Sequence, residues 1–278
     1  MGAPPPAAGL DPWAAQLRLG FEVRGQQTLL AERYQRGPLA VQRPFYPEGG
    51  TCHCYLLHPP GGLVGGDQLD IDIGVAAGAQ ALLTTPGATK CYRSAGPFAR
   101  QTQRLRVTGT LEWLPQETIL FPGALVKLGT RVELVAGARF IGWELLALGR
   151  PSIGEPFDRG EATQTLEVWA DGRPLLIERL ALEPAAGARQ AAAGLRGLPL
   201  SGTLLAWPAD ATDLEAARAA LPGAAGDWCA FSLIDGLLVG RYLGSQAEQA
   251  RLSFVPVWRA LRPRMLGREA VTPRIWAT

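Results

Sequence analysis

From Leu17 onward apolar and polar residues alternate with a period of two, in short runs that glycines and prolines interrupt. Leu17, Leu19, Phe21 and Val23 fall on one face of the first run, and Arg18, Glu22 and Arg24 on the other. That pattern predicts a half-buried strand. Gly25 starts a turn, and Thr28 to Gln35 reads as the return strand. The pattern is densest between Cys52 and Ser94, where two alternating runs flank the glycine-rich segment G-G-L-V-G-G-D. Leu69, Ile71, Ile73 and Val75 point one way there, and Gln68, Asp70 and Asp72 the other. A chain punctuated in this way cannot be mainly helical. Its 34 glycines and 23 prolines are too many for a helical protein and too few for a disordered one.

Further strands are expected over 52–57, 79–84, 101–107, 110–114, 130–135, 139–147, 163–169 and 173–180. Asp171-Gly172 joins the last two as a hairpin, and a second hairpin over 228–243 turns at Asp235-Gly236. Residues 184–199 are Ala/Gly-rich without periodicity and predict a surface excursion. Two helices are expected. One is capped by Asp210 or Thr212 and ends at Pro222-Gly223; the other lies between Gln246 and about Met265, with a kink or late start imposed by Pro256 and Pro263. The expected fold is mainly β, with about fourteen short strands in a β-helix-like or layered arrangement and two helices near the C-terminus. Residues 1–12 are expected to form a disordered tail, and 13–278 a single domain. No repeat of fixed period is present.

Several classes of function are poorly supported. A net charge of +2 leaves no electrostatic footprint for nucleic acid. No run of eighteen apolar residues predicts a membrane span, and neither a secretory leader nor a disulfide framework is evident, so a reducing cytoplasm is expected. The glycine-rich segment lacks the Lys-Ser/Thr ending of a phosphate loop, and no nucleophile elbow accompanies the two histidines. In an extended strand Cys52 and Cys54 stand about 6.6 Å apart with His53 pointing away. One ion with thiolate bonds near 2.3 Å therefore cannot hold all three, and two small buried hydrophobes are expected instead. His58 ends its strand near Asp67, where it would bind or gate an ion or serve as a hydrogen-bonded structural residue. Asp67, Asp70 and Asp72 would line a groove or channel, or form a solvated face. A metal-dependent hydrolase using Asp67, Asp70 and His58 is the alternative activity.

Six strings occur in order: R-P-F-Y-P-E, L-H-P-P-G-G-L-V-G-G-D, T-T-P-G-A-T-K-C-Y-R-S, L-E-W-L-P-Q-E-T-I-L-F, R-F-I-G-W-E-L-L-A-L-G-R-P and the terminal P-R-I-W-A-T. Together they resemble the urease accessory protein family UreD, also called UreH, from about Trp13 to Thr278. The resemblance implies a maturation factor without a reaction of its own. Such a factor binds the urease apoprotein and recruits UreF and the nickel-carrying GTPase UreG, so that nickel reaches an active site whose lysine becomes carbamylated. It also implies a mostly β fold and an internal nickel tunnel, with nickel in transit and no tightly bound cofactor. On that resemblance the carboxylates of Asp67, Asp70, Asp72, Glu144 and Glu178 are tunnel-lining candidates, with His58 beside them. Two positions depart from the pattern: Cys91 stands where an apolar residue is expected, and Ala147 where a cysteine is, so a thiol role near 147 does not transfer. The apolar segment from Trp113 to Pro122 would be either core or a docking patch. Trp258, Arg259, Arg262 and Trp276 have the character of interface anchors, although core is the expected place for the tryptophans.

Overall fold

In the computed structural model, residues 13–183, 187–221 and 228–277 are described. The predicted tail over 1–12, part of the 184–199 excursion and the Pro222-Gly223 helix stop lie outside them. The strands in chain order are β1 (Ala14–Arg24), β2 (Gln27–Arg36), β3 (Ala40–Val41), β4 (Cys52–Leu57), β5 (Gly62–Leu63), β6 (Gln68–Val75), β7 (Gln80–Thr84), β8 (Thr89–Cys91), β9 (Ala99–Val107) and β10 (Thr110–Leu114). They continue with β11 (Thr118–Leu120), β12 (Leu125–Leu134), β13 (Arg139–Arg150), β14 (Glu155–Pro156), β15 (Glu161–Ala170), β16 (Arg173–Leu182), β17 (Leu200–Trp207), β18 (Trp228–Ile234) and β19 (Leu237–Gly244). The helices are α1 (Ala211–Ala219) and α2 (Ala247–Leu266).

The chain winds. Strands β6, β9, β12 and β15 lie side by side and parallel in one sheet, while β4, β7, β10 and β13 do the same in a second. The short strands β5, β8 and β11 form a third parallel row that joins β13. Each coil therefore sets its side chains directly above those of the coil before, as a β-helix does. Antiparallel strands close the ends. Strands β2 and β16 flank the first sheet, and β17, β19 and β18 extend the second. The mostly β, wound fold with two helices is the one expected.

Two apolar cores follow. One lies inside the coils, where Leu17, Leu19, Ile73, Leu105, Val132 and Val168 are almost fully buried. The other lies between the second sheet and α2, which presents Phe254, Val257, Trp258, Leu261 and Met265 to it. Helix α1 is capped by Asp210, whose carboxylate accepts from the Thr212 and Asp213 amides, and Asp213 answers back to Asp210 in a capping box. Helix α2 runs unbroken from Ala247 through Pro256 and Pro263, so the expected late start is absent. Trp143, Trp258 and Trp276 gather with ring centroids 5.7 and 5.8 Å apart, which places these tryptophans in packing contact.

Glycine explains the dense segment at 61–66. Gly62 pairs with Lys90 across β5 and β8, and a Cβ at Gly62 would run into the Lys90 carbonyl and meet the Tyr92 ring at 2.6 Å. The coils approach too closely there for any side chain. Val23, expected on the buried face of its strand, is 44% exposed, because the inter-sheet core ends at Phe21.

Candidate functional site

A cavity of about 340 Å³ lies inside the coils. Alternation places Gln101 and Gln103 on the same inward face of β9 as Leu105 and Val107, which are buried. Parallel register then stacks Leu69, Gln101, Leu128 and Gln164 in one ladder, and Ile71, Gln103 and Thr130 in the next. The ladders turn polar where they meet the cavity. Thr130 Oγ1 donates to Gln103 Oε1 at 3.1 Å, and Gln164 Nε2 donates to Glu144 Oε2 at 2.8 Å. Polar groups are costly inside a core and are tolerated when they bond to one another.

Glu144 reaches this space from β13 on the opposite sheet. Burial raises its pKa above the ordinary carboxylate value; hydrogen bonds from Thr130 and Gln164 oppose the rise, and the nearby Glu178 charge adds to it. Glu178 on β16 is itself paired with Arg241, which also donates to Thr203 Oγ1 at 2.6 Å. Glu144 and Glu178 are thus two carboxylates in electrostatic contact between the sheets, one of them neutralised by an arginine.

His58 also lines this cavity. Burial pushes its imidazole below the ordinary histidine value, against the pull of Asp67, and its Nε2 is buried with no protein partner. Trp113 Nε1, in the same wall, is likewise unpartnered.

The remaining aspartates lie elsewhere. Asp67, 2% exposed, accepts from the Trp13 amide at 3.0 Å and the Val64 amide at 2.9 Å, and so fixes the glycine-rich turn. Asp70 and Asp72 point to the outer face of the first sheet, where Asp70 is exposed and Asp72 pairs with Arg106 at 2.6 Å. The period of the strand demands this: Leu69 and Ile71 face the cavity, so residues 70 and 72 cannot. The structure therefore gathers His58, Glu144 and Glu178 in and beside the interior space, and keeps Asp70 and Asp72 apart from it. His58, Asp67 and Asp70 likewise do not converge on one point as a hydrolytic centre requires. Among the described residues no three His, Cys, Asp or Glu side chains assemble to hold a metal ion.

The glutamines and Thr130 were not among the expected site residues, although one signal marks them. They are polar residues on inward positions of strands whose neighbours on that face are apolar.

Behind the second sheet, Arg262 of α2 reaches Glu112 and Glu48, and Glu48 also bonds His53 at 2.5 Å. Burial works against ionised Glu48, but hydrogen bonds from His53 and Arg262 overcome it and hold its pKa below the ordinary value. The interface-like arginine at 262 is therefore a fully buried tether, whereas Arg259 is exposed and donates to Thr272.

These features define a class: a wound β scaffold with a helical cap, a partly polar cavity and no assembled reaction centre among the described residues. No helix there is long and apolar enough to cross a membrane. Comparison with known proteins supplies the particular family. Residues 14–277 match the family profile described as UreD urease accessory protein, and the chain belongs to that family. It is 48% identical over 273 residues to the urease accessory protein UreD of Alcanivorax borkumensis, covering 96% of this chain and 92% of that one. It is 47% identical over 268 residues to the protein of the same name from Klebsiella aerogenes, covering 96% and 97%. A third relative, from Alkalilimnicola ehrlichii, is 48% identical over 280 residues, covering 99% and 95%. The chain is thus a urease accessory protein, with a role in urease maturation.

Proposed function

We propose that this chain binds the urease apoprotein and, with UreF and UreG, supports nickel insertion by letting the ion pass through the interior cavity. The observation that carries the proposal is the set of polar side chains Gln101, Gln103, Thr130 and Gln164 at inward strand positions around the cavity that Glu144 also lines, with Gln164 bonded to Glu144. Neutral oxygen ligands with one or two carboxylates bind a divalent ion weakly enough to release it, as conduction requires. The lack of any three-ligand cluster among the described residues fits a conduit better than a store. In this role nickel is cargo, and the chain catalyses no reaction of its own in the cytoplasm.

The test is co-expression of urease and its accessory proteins with Glu144→Ala in this chain. The complex should co-purify intact while urease gains less nickel under limiting supply. Normal nickel content with the variant would remove the passage from the proposal.

A further inference from the structure

We infer that Cys52 and Cys54 form a two-thiol binding site for a soft monovalent cation of the Cu(I) or Ag(I) type. The backbone of β4 holds these residues two apart on one face, about 6.6 Å from each other. Their side chains nevertheless turn together, so that the two Sγ atoms stand 3.8 Å apart, both fully buried. Besides Cys54, the Tyr46 hydroxyl and the Leu30 backbone amide also bond to the Cys52 sulfur. Tyr46, raised mainly by burial to about 12, keeps the proton it donates. The core therefore holds two sulfurs side by side.

A disulfide is the poorer use of this pair. It would need Cβ atoms about 3.8 Å apart, which an extended strand does not allow for residues at i and i+2. A bridging ion asks for less. At the present sulfur separation of 3.8 Å, an ion about 2.3 Å from each sulfur subtends an angle of about 110°. Rotation that widens the gap to about 4.6 Å makes the site linear without moving the backbone. Ions that require four or six donors find no further His, Cys, Asp or Glu ligand here among the described residues. Soft thiolate donors select Cu(I), which two sulfurs can satisfy. On binding, the metal forms one bond to each sulfur, each thiol that binds releases its proton to solvent, and no electron is transferred.

Anaerobic titration of the purified full chain with Cu(I), against a chromophoric Cu(I) chelator, should show one ion bound per chain. X-ray absorption should give two sulfurs in its first shell. Cys52→Ser and Cys54→Ser should each weaken binding by more than about a hundredfold, while Cys91→Ser and Cys229→Ser should leave it unchanged. Wild-type protein keeps the test independent of how the variants fold. Bound Ag(I) should slow alkylation of Cys52 and Cys54, but not of Cys229, in partial denaturant, as read by peptide mass. Absence of binding to the folded chain, equal binding by the Cys52→Ser/Cys54→Ser variant, or unprotected alkylation would each overturn the assignment.

Discussion

Arg262 Nε donates to both carboxylate oxygens of Glu112, at 2.9 and 3.1 Å, although 150 residues separate the two in the chain. Neither side chain touches solvent to any useful extent, at 0% and 1% exposure. The same guanidinium donates to Glu48, and Trp258 Nε1 adds a bond to Glu112 at 2.6 Å. One arginine on α2 thus ties the helix to β10 in the middle of the wound body and to the loop before β4.

Arg262→Ala should cost about 3–5 kcal/mol, because it strands two buried carboxylates without their partner. Arg262→Lys should recover only part of that loss, since an ammonium cannot present the planar fork. Thermal unfolding of the three proteins checks the order wild type, Lys, Ala. Equal midpoints for the Lys variant and wild type would show that charge alone suffices.

How far this was legible in the sequence differs from element to element. Strands with one wet face, such as β1 and β6, announced themselves by alternation, and the hairpins did so by Asp-Gly. β17 was missed because Leu204, Leu205 and Ala206 are buried in succession between two layers, which erases the period of two. Short β5, β8, β11 and β14 carry too few residues to show any pattern; with β17 they make up the difference between the expected fourteen or so and the nineteen strands among the described residues. At the site, Glu144 was identified by resemblance. The glutamine ladder depends on registers between coils, and these are not written in any local stretch.

Glu144 gives a pH signature. Its folded pKa lies above the unfolded value near 4.5, so its contribution is most favourable below that pH. It is lost as pH rises through the folded pKa, where ionisation in the cavity opposes folding. Glu144→Gln should therefore match wild type at the acid end and gain on it as pH climbs above 4.5, levelling off once the carboxyl is ionised. Melting midpoints of both proteins across pH check this. A constant offset at all pH values would mean that the carboxyl titrates alike in the folded and unfolded states.

Gly62 sets the spacing between coils. Gly62→Ala should destabilise by about 1–3 kcal/mol, because the new methyl meets backbone that cannot turn aside. Gly61 differs: it has a positive φ of 80° with open space around it, so alanine there meets strain but no clash. Denaturant midpoints should fall for both variants, with a stability loss of about 1 kcal/mol for Gly61→Ala.

The outer and inner carboxylates should separate in a nickel-loading assay. Asp70 sits on the exposed face of β6, and Asp70→Ala should leave urease nickel content unchanged. Glu178 lies between the sheets, paired with Arg241 and close enough to shift Glu144. Glu178→Gln frees the Arg241 guanidinium near Glu144, placing an unpaired cation beside the proposed passage. Nickel content should then fall with the complex intact, and further than removal of one weak ligand would explain. Glu178→Gln paired with Arg241→Gln should restore part of the loss, because the obstacle is the released charge. If the double variant loads no better than the single, the pair acts as a ligand and not as a counter-charge, and nickel is held by Glu178 itself.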